Sequence, residues 1–251
     1  MLGDGAFIRS LALRPVAEND PEREGHPWGL PVVRALAQPL ELDPKVTFFV
    51  GENGSGKSTV IEALAGAAGM NPEGGSSNFA FSTRPEEGSL ADALRLVRGP
   101  RRPKTDFFLR AESVFNAATY LEQLKLEPFG SGALDAYGGT SLHEQSHGES
   151  FLAIVLNRFG AGGLYVLDEP EAALSVQNCL TLLSRIDQLV AEGSQFVIAT
   201  HSPVVLAYPD ATIYRLSEDG VERIGYDDAP PVRLMRAFLR DPAAFMRRLT
   251  D

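Results

Sequence analysis

The stretch GENGSGKST at residues 51–59 decides the fold class of this 251-residue chain. It fits the pattern G-x-x-x-x-G-K-[ST], in which backbone N–H groups of a glycine-rich loop surround an anion and the following helix adds its positive end. The composition of the chain gives only about 0.004 expected chance matches to this pattern. The apolar segment Lys45–Val50 precedes the stretch and the Ala- and Leu-rich segment Lys57–Ala68 begins within it. The sequence therefore predicts the strand–loop–helix context of a phosphate-binding loop.

The polar positions of this loop have expected roles at a nucleoside triphosphate. Lys57 would reach the β- and γ-phosphates, and the Ser58 hydroxyl would bind Mg²⁺. The residues expected to surround the phosphates are Asn53, Gly54, Ser55, Gly56, Lys57, Ser58 and Thr59. A nucleoside triphosphate with Mg²⁺ is therefore the predicted ligand of this loop.

A second segment with predicted chemistry is LYVLDEP at residues 164–170, an apolar run that ends in two carboxylates. A buried strand would deliver Asp168 at its carboxyl end, where ligands of open α/β sheets gather, and there it would bind Mg²⁺ opposite Ser58. Because side chains alternate along a strand, Glu169 would point elsewhere. Glu169 is the predicted group that orients and polarises the attacking water.

Further segments show that the chain resembles the ATP-binding-cassette (ABC) ATPases. QSHGE at residues 145–149 is similar to the signature motif of that family. Ser146, Gly148 and Glu149 match the motif, whereas its first and third positions depart from it. Ser146 and the backbone amides around Gly148 would cap the start of the following helix, which is an anion-binding arrangement.

The other markers of the family follow in the expected order. AALS at residues 172–175 stands where the family has its D-loop, and His201, directly after an apolar run, resembles the switch histidine. The resemblance covers residues 51–203. It implies a Mg²⁺-dependent ATPase that converts ATP and water to ADP and phosphate, with Lys57, Glu169 and His201 as catalytic residues.

The resemblance also implies a partner subunit. In the family, the signature segment covers the γ-phosphate of the ATP bound by the other subunit, so that two ATP molecules are enclosed between two chains. We therefore expect a homodimer on ATP binding, in which Ser146, Gly148 and Glu149 bind the partner's nucleotide. ATP binding would bring the two subunits together and hydrolysis would let them part, so a chemical change at the γ-phosphate would become a large motion of the subunits.

The order of predicted elements and the resemblance together define the expected architecture. It is an α/β P-loop NTPase fold with a mostly parallel central sheet flanked by helices, an antiparallel β element, and a helical subregion at about residues 86–160. Residues 1–251 are expected to form a single ABC-type ATPase domain. The predicted strands are Phe7–Leu13, Val32–Leu36, Lys45–Val50, Asp106–Leu109, Leu164–Leu167, Gln195–Thr200, Thr212–Leu216 and Val221–Gly225. The predicted helices are Lys57–Ala68, Ser89–Val97, Glu112–Leu126, Glu149–Phe159, Val176–Ala191, Val232–Leu239 and Pro242–Leu249.

Composition and charge bear on whether the chain binds nucleic acid or inserts into a membrane. The chain carries 23 basic and 33 acidic residues, a net charge of −10, which disfavours generic binding of nucleic acid. The segment Arg95–Lys104 is the exception, with five basic residues and no acid, and it is interpreted either as a solvated loop or as a contact with DNA. Apolar runs are shorter than the roughly 18–20 residues of a membrane span. With one cysteine, Cys179, and no signal pattern, we expect a soluble cytoplasmic protein that does not insert into membranes.

The branch of the family stays open between three interpretations. VIEAL at residues 60–64 resembles the Ile-Glu-Ala stretch of chromosome-maintenance and recombination-repair ATPases. It favours a compact soluble ATPase head that serves DNA repair, DNA structure sensing, or defence with a partner such as a nuclease. The alternatives are a nucleotide-binding subunit of a transporter and a slowly hydrolysing scaffold. No Gln stands between Gln38 and Gln123, so Arg110 or Glu112 is the predicted substitute for the family's glutamine loop near Mg²⁺.

Overall fold

The computed structural model describes residues 5–15, 25–71, 75, 89–111 and 147–250. Its strands are β1 (Ile8–Leu13), β2 (Leu40–Glu41), β3 (Val46–Gly51), β4 (Leu94–Arg98), β5 (Asp106–Arg110), β6 (Leu164–Asp168), β7 (Gln195–Ala199), β8 (Thr212–Ser217) and β9 (Gly220–Ile224). The α-helices of this part are α1 (Pro31–Ala35), α2 (Lys57–Ala68), α3 (Leu90–Ala93), α4 (His147–Arg158), α5 (Val176–Ala191), α6 (Pro230–Arg240) and α7 (Pro242–Thr250). None of the described helices is both long and apolar enough to cross a membrane.

The strands form two sheets. The larger sheet has the order β5-β6-β7-β3-β8-β9, in which neighbouring strands from β5 to β8 run parallel and β9 pairs antiparallel with β8. The smaller sheet is antiparallel, with the order β2-β1-β4. The predicted fold class, a mostly parallel α/β sheet with an antiparallel element, is confirmed.

The large sheet has a core layer on each face because successive side chains point to opposite sides. Phe48 lies in the layer that includes α4 and α5, and its neighbour Phe49 lies in the layer that includes α2 and β1. The buried Gln195 joins the two sheets. Its amide nitrogen donates to the carbonyls of Ile8 and Asp43, and its oxygen accepts from backbone N–H groups at the start of β1. A buried amide with this many partners fixes the placement of β1 against β7.

The predicted strand Val32–Leu36 is wrong, since this segment forms helix α1, from Pro31 to Ala35. Val32, Val33 and Leu36 are the buried residues, and this spacing puts them on one face of a helix. Pro31 at the first helical turn lacks an N–H that would need a partner, so it suits a helix start. Burial on one face outweighs the strand preference of the valines.

The predicted helix Ser89–Val97 is also wrong beyond its first turn. Ser89 caps the short helix α3, and the chain then continues as β4, which pairs with β1. Exposed and less exposed side chains alternate along Leu94–Arg98, as expected for a strand. The subregion of about residues 86–160 therefore contains two strands as well as helices in its described part. The predicted helix Glu112–Leu126 lies outside the described residues, and a single domain over residues 1–251 stays a prediction.

Candidate functional site

The candidate residues lie at the carboxyl ends of adjacent strands. The loop 51–59 follows β3, His201 follows β7, Asp168 ends β6, and Arg110 ends β5. In the sheet these strands are neighbours in the order β5, β6, β7, β3, and all four run parallel. Because the carboxyl ends of parallel strands meet at one edge, segments far apart in sequence share one site.

The phosphate loop has the backbone that the motif requires. Gly54 and Gly56 have φ values of 82° and 89°, which a residue with a Cβ rarely adopts. Lys57 begins α2 and is 3% exposed, and its Nζ donates to the carbonyls of Gly51 (3.0 Å) and Glu52 (3.1 Å). Burial lowers the pKa of Lys57, against the opposing effect of nearby carboxylates. A phosphate would offer this buried cation a charged partner.

The remaining residues predicted to surround the phosphates also lie in this loop. Asn53 is exposed, and Ser55 and Thr59 are half-buried. The Ser55 Oγ atom is buried and has no hydrogen-bond partner in the described part of the chain. A buried hydroxyl without a partner costs free energy, and a phosphate oxygen in this loop would suit it.

Ser58 and Asp168 provide a donor pair that fits Mg²⁺. The Ser58 Oγ atom lies 3.3 Å from Oδ1 of Asp168, although 110 residues separate them in sequence. Asp168 is 4% exposed, and burial raises its pKa to about 6, against the lowering effects of Arg110 and the Ser58 hydrogen bond. A bound cation would favour the ionised carboxylate. The described part of the chain contains no group of three His, Cys, Asp or Glu side chains that could hold a metal. One hydroxyl and one carboxylate, completed by phosphate oxygens and water, is the set that Mg²⁺ commonly takes.

Glu169 and His201 face each other at the carboxyl ends of the neighbouring strands β6 and β7. Glu169 has φ 47° and ψ 54°, the left-handed region, and its N–H donates to the carbonyl of Ala199 at 2.9 Å. Its Oε1 atom lies 3.2 Å from Nε2 of His201. The two side chains are 39% and 34% exposed, whereas the Nε2 atom of His201 itself is buried. A carboxylate and an imidazole in this arrangement can hold and orient a water molecule.

Glu171 is a residue that the motif reading missed. Its Oε1 atom accepts hydrogen bonds from the Thr200 hydroxyl (2.8 Å) and from the backbone N–H groups of His201 and Ser202. Glu171 thus ties the turn after the acidic pair to the loop that holds His201. The signal in the sequence was a third carboxylate in the segment DEPE, residues 168–171, which the motif treats as variable.

Arg110 is one of the two predicted substitutes for the glutamine loop, and it lies beside Asp168. The two residues are directly opposite in the β5–β6 register. The Arg110 Nη2 atom lies 3.3 Å from Oδ2 of Asp168 and 2.6 Å from Oε1 of Glu62 on α2. Glu112, the other candidate, lies outside the described residues.

The signature segment is only partly described. Ser146 lies outside the described residues, and α4 begins at His147. A Cβ added to Gly148 would lie 2.8 Å from the carbonyl oxygen of Ala173, so this glycine lets the start of α4 approach the turn after the acidic pair of the same chain. Glu149 is exposed in the first turn of α4. Gly148 thus has a role in packing within the chain, besides any role toward a partner's nucleotide.

The arginine-rich segment is divided between backbone contacts and solvent. Arg98 ends β4, and its Nη2 donates to the carbonyls of Ala67 and Ala68 at the end of α2, each at 3.3 Å. Arg101 donates to the carbonyl of Gly5. Arg95, Arg102 and Lys104 are exposed. The interpretation of residues 95–104 as a solvated loop is wrong for its first part, which is strand.

Known proteins are similar to this chain in sequence and in fold. A family model described as an AAA domain matches residues 35–109, which include the phosphate loop. The ribose import ATP-binding protein RbsA of Roseobacter denitrificans is 28% identical over 189 residues, which are 68% of this chain and 36% of RbsA. The resemblance to ABC-type P-loop ATPases is confirmed. This resemblance supports ATPase as the enzyme class.

Other similarities extend over more of the compared proteins. An ABC transporter ATP-binding protein of Pyrococcus furiosus is 28% identical over 186 residues, which are 69% of each chain. A solved structure of a metal-chelate type ABC transporter in an inward-facing conformation covers 93% of this chain and 88% of its own, with a TM-score of 0.50 and 17% identity. The structural similarity shows the shared fold. This chain spans well under half of the length of RbsA, the first of these relatives.

Proposed function

We propose that this chain binds ATP with Mg²⁺ and hydrolyses it in an ATP-bound homodimer. The observation that carries the proposal is the meeting of Lys57, Asp168, Glu169 and His201 at adjacent strand ends. These residues supply a cation for the phosphates, a carboxylate for the metal, and a pair that can hold water. The relatives with ATP-binding names support the same substrate.

The chain's own residues would divide the work as follows. The N–H groups of the loop and the Lys57 ammonium bind the phosphates, while the Ser58 hydroxyl and Asp168 hold the metal. Mg²⁺, when bound, withdraws charge from the phosphate oxygens. Glu169 orients the attacking water and accepts its proton, and His201 keeps that carboxylate and the terminal phosphate in position. Ser146, Gly148 and Glu149 of the partner close the site.

The substitution Glu169→Gln tests this division of roles. The amide keeps the shape of the side chain but cannot accept the proton, so the hydrolysis rate should fall about 100-fold or more while ATP affinity is kept. Lys57→Ala should weaken ATP binding itself, because the phosphates lose a buried cation. Steady-state phosphate release and nucleotide titration measure the two effects.

The matched control is Glu218→Gln, the same change at an exposed residue of the β8–β9 turn. It should hydrolyse ATP at the parental rate. Hydrolysis by Glu169→Gln at that rate would show that another group activates water.

A DNA-related process, such as repair, structure sensing or defence with a nuclease, is the proposed use of this ATPase. The exposed cations Arg95, Arg102 and Lys104 support it. The second candidate is a transporter subunit, which the ABC transporter relatives favour. Copurification from a membrane fraction with a permease would decide for the second candidate, and ATP-dependent retention on DNA would decide for the first.

A further inference from the structure

Arg110 and its carboxylate neighbours form a charge cluster that the ordinary roles of this site leave unexplained. Its guanidinium lies between Glu62 Oε1 at 2.6 Å and Asp168 Oδ2 at 3.3 Å. Glu62 and Ser58 lie four residues apart on α2, so both face the end of β6. The Arg110 side chain is 27% exposed, which leaves its pairing with the carboxylates only partly screened.

The two oxygens of Asp168 have different partners. Oδ1 lies against the hydroxyl of Ser58, the other predicted ligand of Mg²⁺, and Oδ2 lies against Arg110. One carboxylate is therefore shared between a fixed cation of the protein and the place for a divalent cation. A fixed positive charge this close to a metal ligand repels the metal and attracts the anionic nucleotide.

We propose that Arg110 shares Asp168 with Mg²⁺ and supplies part of its charge to the nucleotide, so that ATP binding depends less on Mg²⁺ than it would with a neutral residue at this position. The inference rests on the proposed function, since it concerns the same ATP site. In this role Arg110 is a positioning residue. Repulsion of the metal weakens the coupling between the two ligands, whereas attraction of the phosphates strengthens ATP binding equally with and without Mg²⁺.

The coupling is measured as a ratio: the dissociation constant of the nucleotide in excess EDTA divided by its dissociation constant with saturating Mg²⁺. A fluorescent, non-hydrolysable ATP analogue is titrated into the full chain with excess EDTA and again with saturating Mg²⁺. In Arg110→Gln the ratio of the two constants should rise about tenfold or more over the parent. In Arg110→Lys, which keeps the charge, it should stay within about threefold. Arg223→Gln, an exposed arginine of β9, changes the net charge equally and should leave the ratio unchanged.

The variant Glu62→Gln separates the effect of the Arg110 charge from a purely structural effect of the Arg110–Glu62 ion pair. It breaks the same Arg110–Glu62 pair but removes a negative charge, so the charge model requires the ratio to fall or stay the same. A purely structural pair would move the ratio in the same direction in Glu62→Gln and Arg110→Gln. If Arg110→Gln fails to fold in a thermal melt, a rise of the ratio in Glu62→Gln still overturns the proposal.

The two proposals fail in different ways. A parental chain that binds no analogue under either condition contradicts the proposed function. Normal binding of the analogue with an unchanged ratio in Arg110→Gln contradicts only the role of Arg110.

Discussion

Glu171 places one carboxylate oxygen against three donors from the strand end that carries His201. Its second oxygen, Oε2, is buried and has no hydrogen-bond partner in the described part of the chain. Hydrogen bonds to a charged acceptor are stronger than neutral ones, so this contact fixes the backbone of residues 200–202. Since His201 lies 3.2 Å from Glu169, the loop position decides how these two side chains meet.

Glu171→Ala should therefore lower kcat about tenfold or more while the nucleotide dissociation constant changes little. The loop loses its acceptor, and His201 no longer meets Glu169 in one geometry. Glu171→Gln keeps an oxygen acceptor and should restore most of the rate. The measurement is kcat against KM for ATP, with Glu192→Ala, an exposed residue after α5, as the control. Equal losses in the Gln and Ala variants would show that a neutral acceptor does not hold the loop, and an unchanged kcat in Glu171→Ala would contradict the role of Glu171.

The arginine-rich segment combines two elements with different tasks. Its strand part ends at Arg98. This side chain donates hydrogen bonds to carbonyls in the last turn of α2, which have no partner within the helix. Its loop part carries the exposed Arg102 and Lys104. A reversal of charge at Arg98 would therefore disturb the fold as well as any surface contact, and it is a poor probe of DNA binding.

The exposed residues give a cleaner test of DNA contact. If the segment binds phosphates, affinity for duplex or single-stranded DNA should fall steeply with salt, and the double variant Arg95→Glu with Arg102→Glu should abolish binding. Basal ATP hydrolysis and the melting temperature should not change. Arg98→Ala should instead lower the melting temperature and leave the salt slope alone. Anisotropy titrations at several salt concentrations, in the ATP-bound state, supply the slopes, and a flat or absent response contradicts the DNA role.

Over the whole molecule, the sequence predicts the central elements well because their signals are local. The helices Lys57–Ala68 and Val176–Ala191 have the predicted bounds, since the phosphate loop fixes one start and Ser175 caps the other. Two of the elements that sequence reasoning missed, α1 and β4, take their form from partners distant in the chain. Burial against those partners overrides local preference.

The site shows the same division. The motifs point to Lys57, Asp168 and His201, because each follows an apolar strand at a recognisable spacing. Glu62 and Glu171 gain their importance only from side chains that the fold brings near them, Arg110 and Thr200. No local pattern encodes such contacts, so they emerge only in three dimensions.

At the scale of the assembly, the proposed sharing of the ATP site between two subunits predicts a particular pattern of complementation. All chains carry Glu169→Gln so that bound ATP persists. Ser146→Arg places a bulky cation where a partner's phosphate would bind, so this variant should stay monomeric with ATP. Lys57→Ala should stay monomeric because its own loop is empty. Their mixture contains one intact composite site, which pairs Lys57 of the first chain with Ser146 of the second, and should form a dimer.

Light scattering at tens of micromolar chain measures the dimer, since association depends on concentration. Ser184→Arg, the same change at an exposed residue of α5, is the control and should dimerise like its Glu169→Gln parent. ATP closes the dimer only if it bridges two chains, so dimerisation must require ATP and be lost when ADP replaces it. A parent that stays monomeric with saturating ATP, or a Ser146→Arg chain that dimerises alone, contradicts a nucleotide held between two subunits.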